Sequence, residues 1–119
     1  MADFRVSTLR ELFRNLNTWK MLYESDGIDL LVAPDGTEWS LWDVDYLATD
    51  GLRYLSRRQS EAIRWYLVEG LREKDVAGLM GIAPNNPVGQ YASNGIGVLL
   101  ELMDAGQLPR FKSDTRWAA

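Results

Sequence analysis

The sequence contains neither cysteine nor histidine. Without cysteine there is no disulfide and no thiolate nucleophile, and without histidine the commonest zinc ligand is missing as well. No glycine-rich phosphate loop follows a predicted strand, no apolar run is long enough to span a membrane, and the first residues lack a signal-peptide pattern. We therefore expect a cytoplasmic protein that is not an enzyme, uses no metal or cofactor and has no membrane partner.

Charge is unevenly placed along the 119 residues. Residues 1–50 carry four basic and ten acidic residues, a net charge of −6, whereas residues 51–119 carry nine basic and seven acidic residues, a net charge of +2. A local basic surface on an acidic protein can still bind phosphates, because charges act mainly within a Debye length of about 8 Å. The whole-chain pI of 4.8 nevertheless argues against promiscuous binding to nucleic acid.

The N-terminal half is predicted to contain a helix followed by a β-hairpin. The segment STLRELFRNLNTWKMLY has a helical apolar stripe, with Ser7 as its N-cap and an end near residues 17–20. The segment APDGT is a strong turn signal between two short strands that begin near Ile28 and Thr37, because its proline fixes φ and its glycine supplies a positive φ. Two strands alone are marginal in water, so we expect the hairpin to pack against a helix.

Aromatic and acidic residues are dense around this hairpin. We expect the aromatic side chains to be core, since they bury the largest areas; they are Trp19, Tyr23, Trp39, Trp42 and Tyr46. Another helix is predicted to begin at Ser40 or Asp43. The three aspartates Asp43, Asp45 and Asp50 lack the spacing of an EF-hand, and we expect them to form an acidic surface patch rather than a cation site.

The C-terminal half has the pattern of three helices. The first is predicted to begin with Ser56 as N-cap and to end at Gly70, and the short second helix ends at Gly81. The third is predicted to begin with Asn86 as N-cap and Pro87 at the first helical position, and to end near Ala105. A short middle helix with a small residue in its centre and a glycine turn is typical of a helix-turn-helix.

This segment resembles a known family. LSRRQSEAIRWYLVEGLREKDVAGLMGI is similar to region 4 of sigma-70 factors and to LuxR-type domains, and the matching residues are Leu55, Ser56, Arg58, Gln59, Gly70, Val76, Ala77, Leu79, Gly81 and Ile82. The run NNPVGQYASNGI followed by LLELMDAGQLPRF is similar to small helix-turn-helix proteins of actinobacterial phages. The resemblance implies that the third helix enters the major groove of promoter DNA and that the domain docks on RNA polymerase or another regulator.

The chain departs from the family pattern in its turn and in its third helix. The turn reads APNNPV, which makes it longer than usual and alters the angle at which the third helix enters. The third helix has no Lys or Arg, and Gly89, Gly95 and Gly97 each cost about 1 kcal/mol against Ala. Close approach to a neighbouring backbone, tight packing on a partner or second copy, and a helix broken near Gly95 are three explanations for these glycines.

The third helix is predicted to bury one face and to offer the other to DNA. Spacing assigns Val88, Ala92, Ile96, Leu99 and Met103 to the buried face. Asn and Gln pair with adenine through two hydrogen bonds, so the other face needs no cation to read bases. The residues predicted to contact bases are Asn85, Asn86, Gln90, Tyr91, Ser93 and Asn94. Free N–H groups at the start of the helix are expected to attract a phosphate, and other phosphates are assigned to Arg53, Arg57, Arg58, Arg72 and Lys74.

We predict a mainly α fold with a short β-hairpin and a three-helix helix-turn-helix core. Residues 1–50 form an N-terminal bracing or interaction region, residues 51–108 the helix-turn-helix domain, and residues 109–119 a basic tail with Phe111 or Trp117 docked back on the domain. The leading hypothesis is a small, phage-encoded transcriptional regulator that binds double-stranded DNA. The alternative is a protein-interaction module that binds RNA polymerase or another regulator, or self-assembles as a homodimer, without reading DNA.

Overall fold

The computed structural model describes residues 4–111, which form a mainly helical fold with one antiparallel hairpin, as the sequence predicts. The α-helices are α1 (Phe4–Arg14), α2 (Leu16–Asp26), α3 (Leu41–Ala48), α4 (Arg57–Glu61), α5 (Glu73–Met80) and α6 (Val88–Asp104). The hairpin consists of β1 (Leu30–Val32) and β2 (Glu38–Ser40). A π-helical segment (Ala62–Val68) continues α4, and the 3-10 turns are Asp50–Tyr54 and Pro109–Phe111. No helix within these described residues is long and apolar enough to cross a membrane.

The N-terminal helical region is two helices, so the prediction of one helix ending at residues 17–20 is wrong. The chain is already helical at Phe4, which places Ser7 inside α1 rather than at its cap. The break comes at Asn15, whose backbone N–H and side-chain amide both donate to the carbonyl of Glu11 at 3.1 and 2.9 Å. The apolar stripe continues across the break, since Leu16 and Trp19 are buried.

The hairpin forms where the turn signal predicts it, although both strands are shorter than expected. Its register pairs Leu31 with Trp39, and the Asp35 carboxylate accepts hydrogen bonds from Thr37 in the turn. These bonds lower the pKa of Asp35, with the Thr37 side chain as the largest cause. Trp39 is fully buried, so the hairpin does pack on the helices, but all three residues of β1 are exposed.

Three of the five aromatic residues meet the prediction of burial, and two do not. Trp19 and Trp39 are buried and Tyr46 is partly buried. Tyr23 and Trp42 are exposed and stack edge to face with ring centroids 5.0 Å apart, because they lie on the outer sides of α2 and α3.

The helix α3 begins with Ser40 as N-cap, which is one of the two predicted starts, and the Ser40 hydroxyl accepts from the Asp43 N–H at 3.3 Å. The prediction of an acidic surface patch is wrong for Asp43. This residue is buried, and its carboxylate accepts from Arg110 at 2.7 Å. Asp45 is paired with Lys20, also at 2.7 Å. Among residues 4–111, no group of acidic side chains could hold a metal ion.

The C-terminal helices begin and end close to the predicted positions. Ser56 caps α4 in a full capping box with Gln59, and Gly81 ends α5 with a φ of +71°. The start of α6 is a correction. Pro87 has a ψ of 74° and lies outside the helix, so Asn86 is not its N-cap, and the first helical residue is Val88. The helix then runs unbroken to Asp104, which excludes a break at Gly95.

One hydrophobic core joins both halves of the described chain. All five residues predicted for the buried face of α6 are buried, as is Ala77 of α5. The helix α1 lies along α6, where Arg5 forms an ion pair with Asp104 at 2.7 Å. Phe111 is buried and stacks on Tyr46, which confirms that it docks back, whereas Trp117 lies outside the described residues.

Candidate nucleic-acid interface

The outward face of α6 is a polar, uncharged strip in its first half. Gln90 and Asn94 are exposed and lie one turn apart, and the Gln90 amide donates to the Asn94 oxygen at 2.8 Å. The strip continues through Gly97 and ends at the exposed Glu101. Residues spaced by three and four positions share one face of a helix, so the neutral amides precede the acidic end. Only the N-terminal half of this face is therefore suited to approach a polyanion.

Arg58 of α4 lies on one flank of this strip. Its guanidinium donates to the Tyr91 hydroxyl at 3.0 Å and lies 5.5 Å from the centre of the Tyr91 ring. The same hydroxyl donates to the Asn86 side-chain oxygen at 2.9 Å. A residue predicted for phosphates and two predicted for bases thus form one connected group. Asn85, the neighbouring loop residue predicted to contact bases, is exposed.

The opposite flank of the strip is formed by α1 and contains a cation that the sequence pattern did not indicate. Arg10 donates to the Ser93 hydroxyl at 2.7 Å, and the two residues are 83 positions apart. Ser93 is partly buried and faces α1, so its position differs from that of the exposed amides. Two arginines of α1 also lie close to an aromatic ring of the π segment. The guanidinium of Arg14 lies 4.7 Å from the Tyr66 ring centre, and that of Arg10 lies 5.8 Å from it.

The N-terminus of α6 already has an acidic partner. The Glu73 carboxylate, in the first turn of α5, accepts the Gly89 N–H at 2.9 Å. Negative charge is stabilised at a helix N-terminus through free N–H groups and the helix dipole. Because Glu73 occupies this position, a phosphate that binds there would have to displace the Glu73 carboxylate. A Cβ at Gly89 would lie 2.7 Å from a carboxylate oxygen at the flexible end of the Glu73 side chain, so a larger residue there would require Glu73 to move.

The remaining basic residues that were predicted to contact phosphates lie at the starts of α4 and α5, with one exception. Arg57 is exposed at the start of α4 and paired with Glu61 at 2.8 Å, an interaction that raises the pKa of Arg57. Arg72 and Lys74 lie at the start of α5, where Arg72 pairs with Asp75 at 3.1 Å. These partners are surface acids, whose pairs are weak in water and are screened by salt.

Arg53 is the exception, because it lies away from the polar strip. It lines a cleft of about 600 Å³ between α2, α3 and the π segment, in which Lys20 and Arg64 also lie. Its nearest acidic partner is Asp50 at 3.7 Å. The structure therefore does not bring Arg53 together with the residues predicted to contact bases.

Gly95 lets α6 approach α4 and its π segment closely. A Cβ at this position would lie 2.9 Å from Ile63 Cδ1 and 3.1 Å from Gln59 Cβ. Of the explanations considered for the glycines, close approach therefore accounts for Gly95. Gly97 is different, since a Cβ there would meet no atom of the described chain within 4 Å.

No family model matches the chain, and no curated protein or solved structure matches it. The resemblance to sigma region 4 therefore stays a prediction from the sequence.

Proposed function

We propose that the protein is a small transcriptional regulator that binds double-stranded DNA. In this proposal α4 with its π segment, α5 and α6 form a helix-turn-helix, and α6 enters the major groove. The observation that supports it best is the pair of exposed amides Gln90 and Asn94, flanked by the connected group of Arg58, Tyr91 and Asn86. This arrangement places neutral hydrogen-bonding groups on the outward face of α6 and a cation on the flank of that face.

The proposed contacts divide into two kinds. Gln90 and Asn94 would exchange the hydrogen bond between them for paired bonds to adenine, which presents one donor and one acceptor in the major groove. Phosphate contacts fix position and add affinity without reading sequence, and they would come from Arg57, Arg58, Arg72 and Lys74. The direction of α6 follows from charge, because Glu101 and Asp104 at its C-terminal end would be repelled by the backbone.

The test is a titration of the protein against labelled duplexes at low and moderate salt. Binding through about four phosphate contacts predicts a slope of log K against log salt near −4. Arg58→Ala should weaken binding to all sequences alike, whereas Asn94→Ala should reduce discrimination between sequences. Lys20→Ala is a matched control, since this cation lies in the cleft with Arg53. If no duplex binds at low salt, the proposal fails.

A second candidate function is binding to RNA polymerase or another regulator without DNA. It is favoured by the occupied N-terminus of α6, where Glu73 lies at the position that would otherwise attract phosphate. The experiment is co-purification with RNA polymerase after nuclease treatment. Two results together would favour this function over the first. The complex with RNA polymerase should survive nuclease and moderate salt, and the Glu73→Ala variant should still not bind DNA.

A further inference from the structure

We propose that β1 is the interface of a homodimer, in which the β1 strands of two copies pair antiparallel across a twofold axis at Leu31. The two-stranded sheet leaves one edge of β1 without a neighbouring strand in residues 4–111. Exposed sheet edges with apolar side chains are ready templates for pairing with another strand. The proposal does not depend on DNA binding.

Hydrogen-bond alternation identifies which backbone groups point outward from this edge. The backbone N–H of Ala33 donates to the Thr37 carbonyl at 2.8 Å, and the N–H of Leu41 donates to the Asp29 carbonyl, also at 2.8 Å. These two residue pairs are therefore hydrogen-bonded pairs of the ladder. Hydrogen-bonded pairs alternate with non-hydrogen-bonded pairs along two antiparallel strands. Leu31, midway between Asp29 and Ala33, is therefore hydrogen-bonded to Trp39 of β2, in what we call the inner ladder. The N–H and C=O groups of Leu30 and Val32 therefore point to the open edge, where they would bond to the same residues of a second copy.

The side chains of the strand match a second copy of themselves. With the axis at Leu31, Leu30 lies opposite Val32 of the second copy, and Leu31 lies opposite itself. None of these residues is charged, so no like charges meet within the paired strands. Because Trp39 and Leu31 share a face, the inner face of the combined sheet would read Trp39, Leu31, Leu31 and Trp39 across its strands. The sheet would then have four strands, a usual number for a stable sheet.

The surface beside the strand is apolar as well. A groove of about 580 Å³ is lined by Leu31 and Val32 together with Phe4 and Leu12 of α1. Phe4 is 74% exposed and Val32 is 65% exposed, which is high for side chains of this kind. The dimer axis at Leu31 would bring two such grooves together. Two acidic residues, Glu11 and Asp35, also line this groove.

The test is sedimentation equilibrium of the full chain over a wide range of protein concentrations. We expect a monomer–dimer equilibrium that stops at the dimer, since isologous pairing closes on itself. Val32→Pro removes only an outward N–H and keeps the inner ladder, and it removes two hydrogen bonds from the dimer by symmetry. The dimer dissociation constant should rise about thirtyfold. Leu79→Asp, at an exposed apolar residue of α5, is the control and should leave it unchanged.

A charge-swap experiment tests the axis itself. Leu31→Asp and Leu31→Lys should each be monomeric, because like charges would face each other across the axis, and an equimolar mixture should form heterodimers. A wild-type chain that stays monomeric at every concentration would overturn the proposal. So would a dimer that is unaffected by both Val32→Pro and Leu31→Asp. Circular dichroism establishes which variants fold, and Val32→Pro alone decides between dimer and monomer if the Leu31 variants do not fold.

Discussion

Two glycines of α6 should respond oppositely to the same substitution. Alanine is favoured over glycine inside a helix by about 1 kcal/mol. At Gly97 a Cβ meets no atom within 4 Å, so Gly97→Ala should gain this full amount of unfolding free energy. At Gly95 the Cβ would lie 2.9 Å from Ile63 Cδ1, inside a core where Ile63 is fully buried.

The second neighbour decides the sign at Gly95. Gln59 Cβ would be 3.1 Å away and is bonded directly to the backbone, so it cannot move without shifting α4. Overpacking of this kind costs about 1–3 kcal/mol, which exceeds the gain in helix propensity. We therefore expect Gly95→Ala to lose about 1 kcal/mol, and the two variants to differ by about 2 kcal/mol.

The measurement is urea unfolding of the wild type and both variants, monitored by circular dichroism. Thermal unfolding should give the same order, with roughly 4 °C for each kcal/mol in a domain of this size. Each variant is the other's control, because both place one methyl group in the same helix. Equal stabilisation by the two substitutions would refute the close packing of α6 on α4 and the π segment.

Three further predictions concern polar contacts. The bonds from Thr37 lower the pKa of Asp35 in the folded state, so its contribution is present at neutral pH and is lost as pH falls below about 5; Asp35→Asn should flatten the acid limb of stability against pH. Glu73→Ala should cost about 1 kcal/mol in urea unfolding, because a backbone N–H of α6 loses its partner. Arg110→Ala should cost about 2 kcal/mol, since the Asp43 carboxylate loses the charged hydrogen bond from Arg110, and Asp43→Asn with Arg110→Ala should recover part of the loss; equal stability of single and double variants would contradict this.

The parts of the fold that the sequence predicts are those fixed by local chemistry. The side chains of Ser56 and Gln59 each accept a hydrogen bond from the other residue's backbone N–H. The buried face of α6 follows from side-chain spacing alone. The division of the N-terminal helical region at Asn15 is also local, but residue preferences do not predict it. The π segment that continues α4 has no composition signal of its own.

The contacts around the candidate site were less predictable because they join distant parts of the chain. Arg10 reaches Ser93 across 83 positions, and Arg58 reaches Tyr91 across 33. Pairs at such separations are set by how helices pack, and a single sequence contains no signal for which cation meets which acceptor. The same limit applies to Glu73, which reaches the Gly89 N–H across 16 positions.

The absence of Lys and Arg from α6 takes on a different meaning once the neighbours of this helix are known. Arg58 from α4 and Arg10 from α1 lie on opposite flanks of its polar strip, each bonded to a side chain of α6. A helix flanked by cations in this way needs none of its own to approach a phosphate backbone, and its neutral face stays free for hydrogen bonding. In the proposed DNA complex, this division would make affinity and selectivity separable, because the cations and the amides lie on different elements. Substitutions in α4 should therefore change the salt dependence, and substitutions at Gln90 or Asn94 should change sequence preference alone.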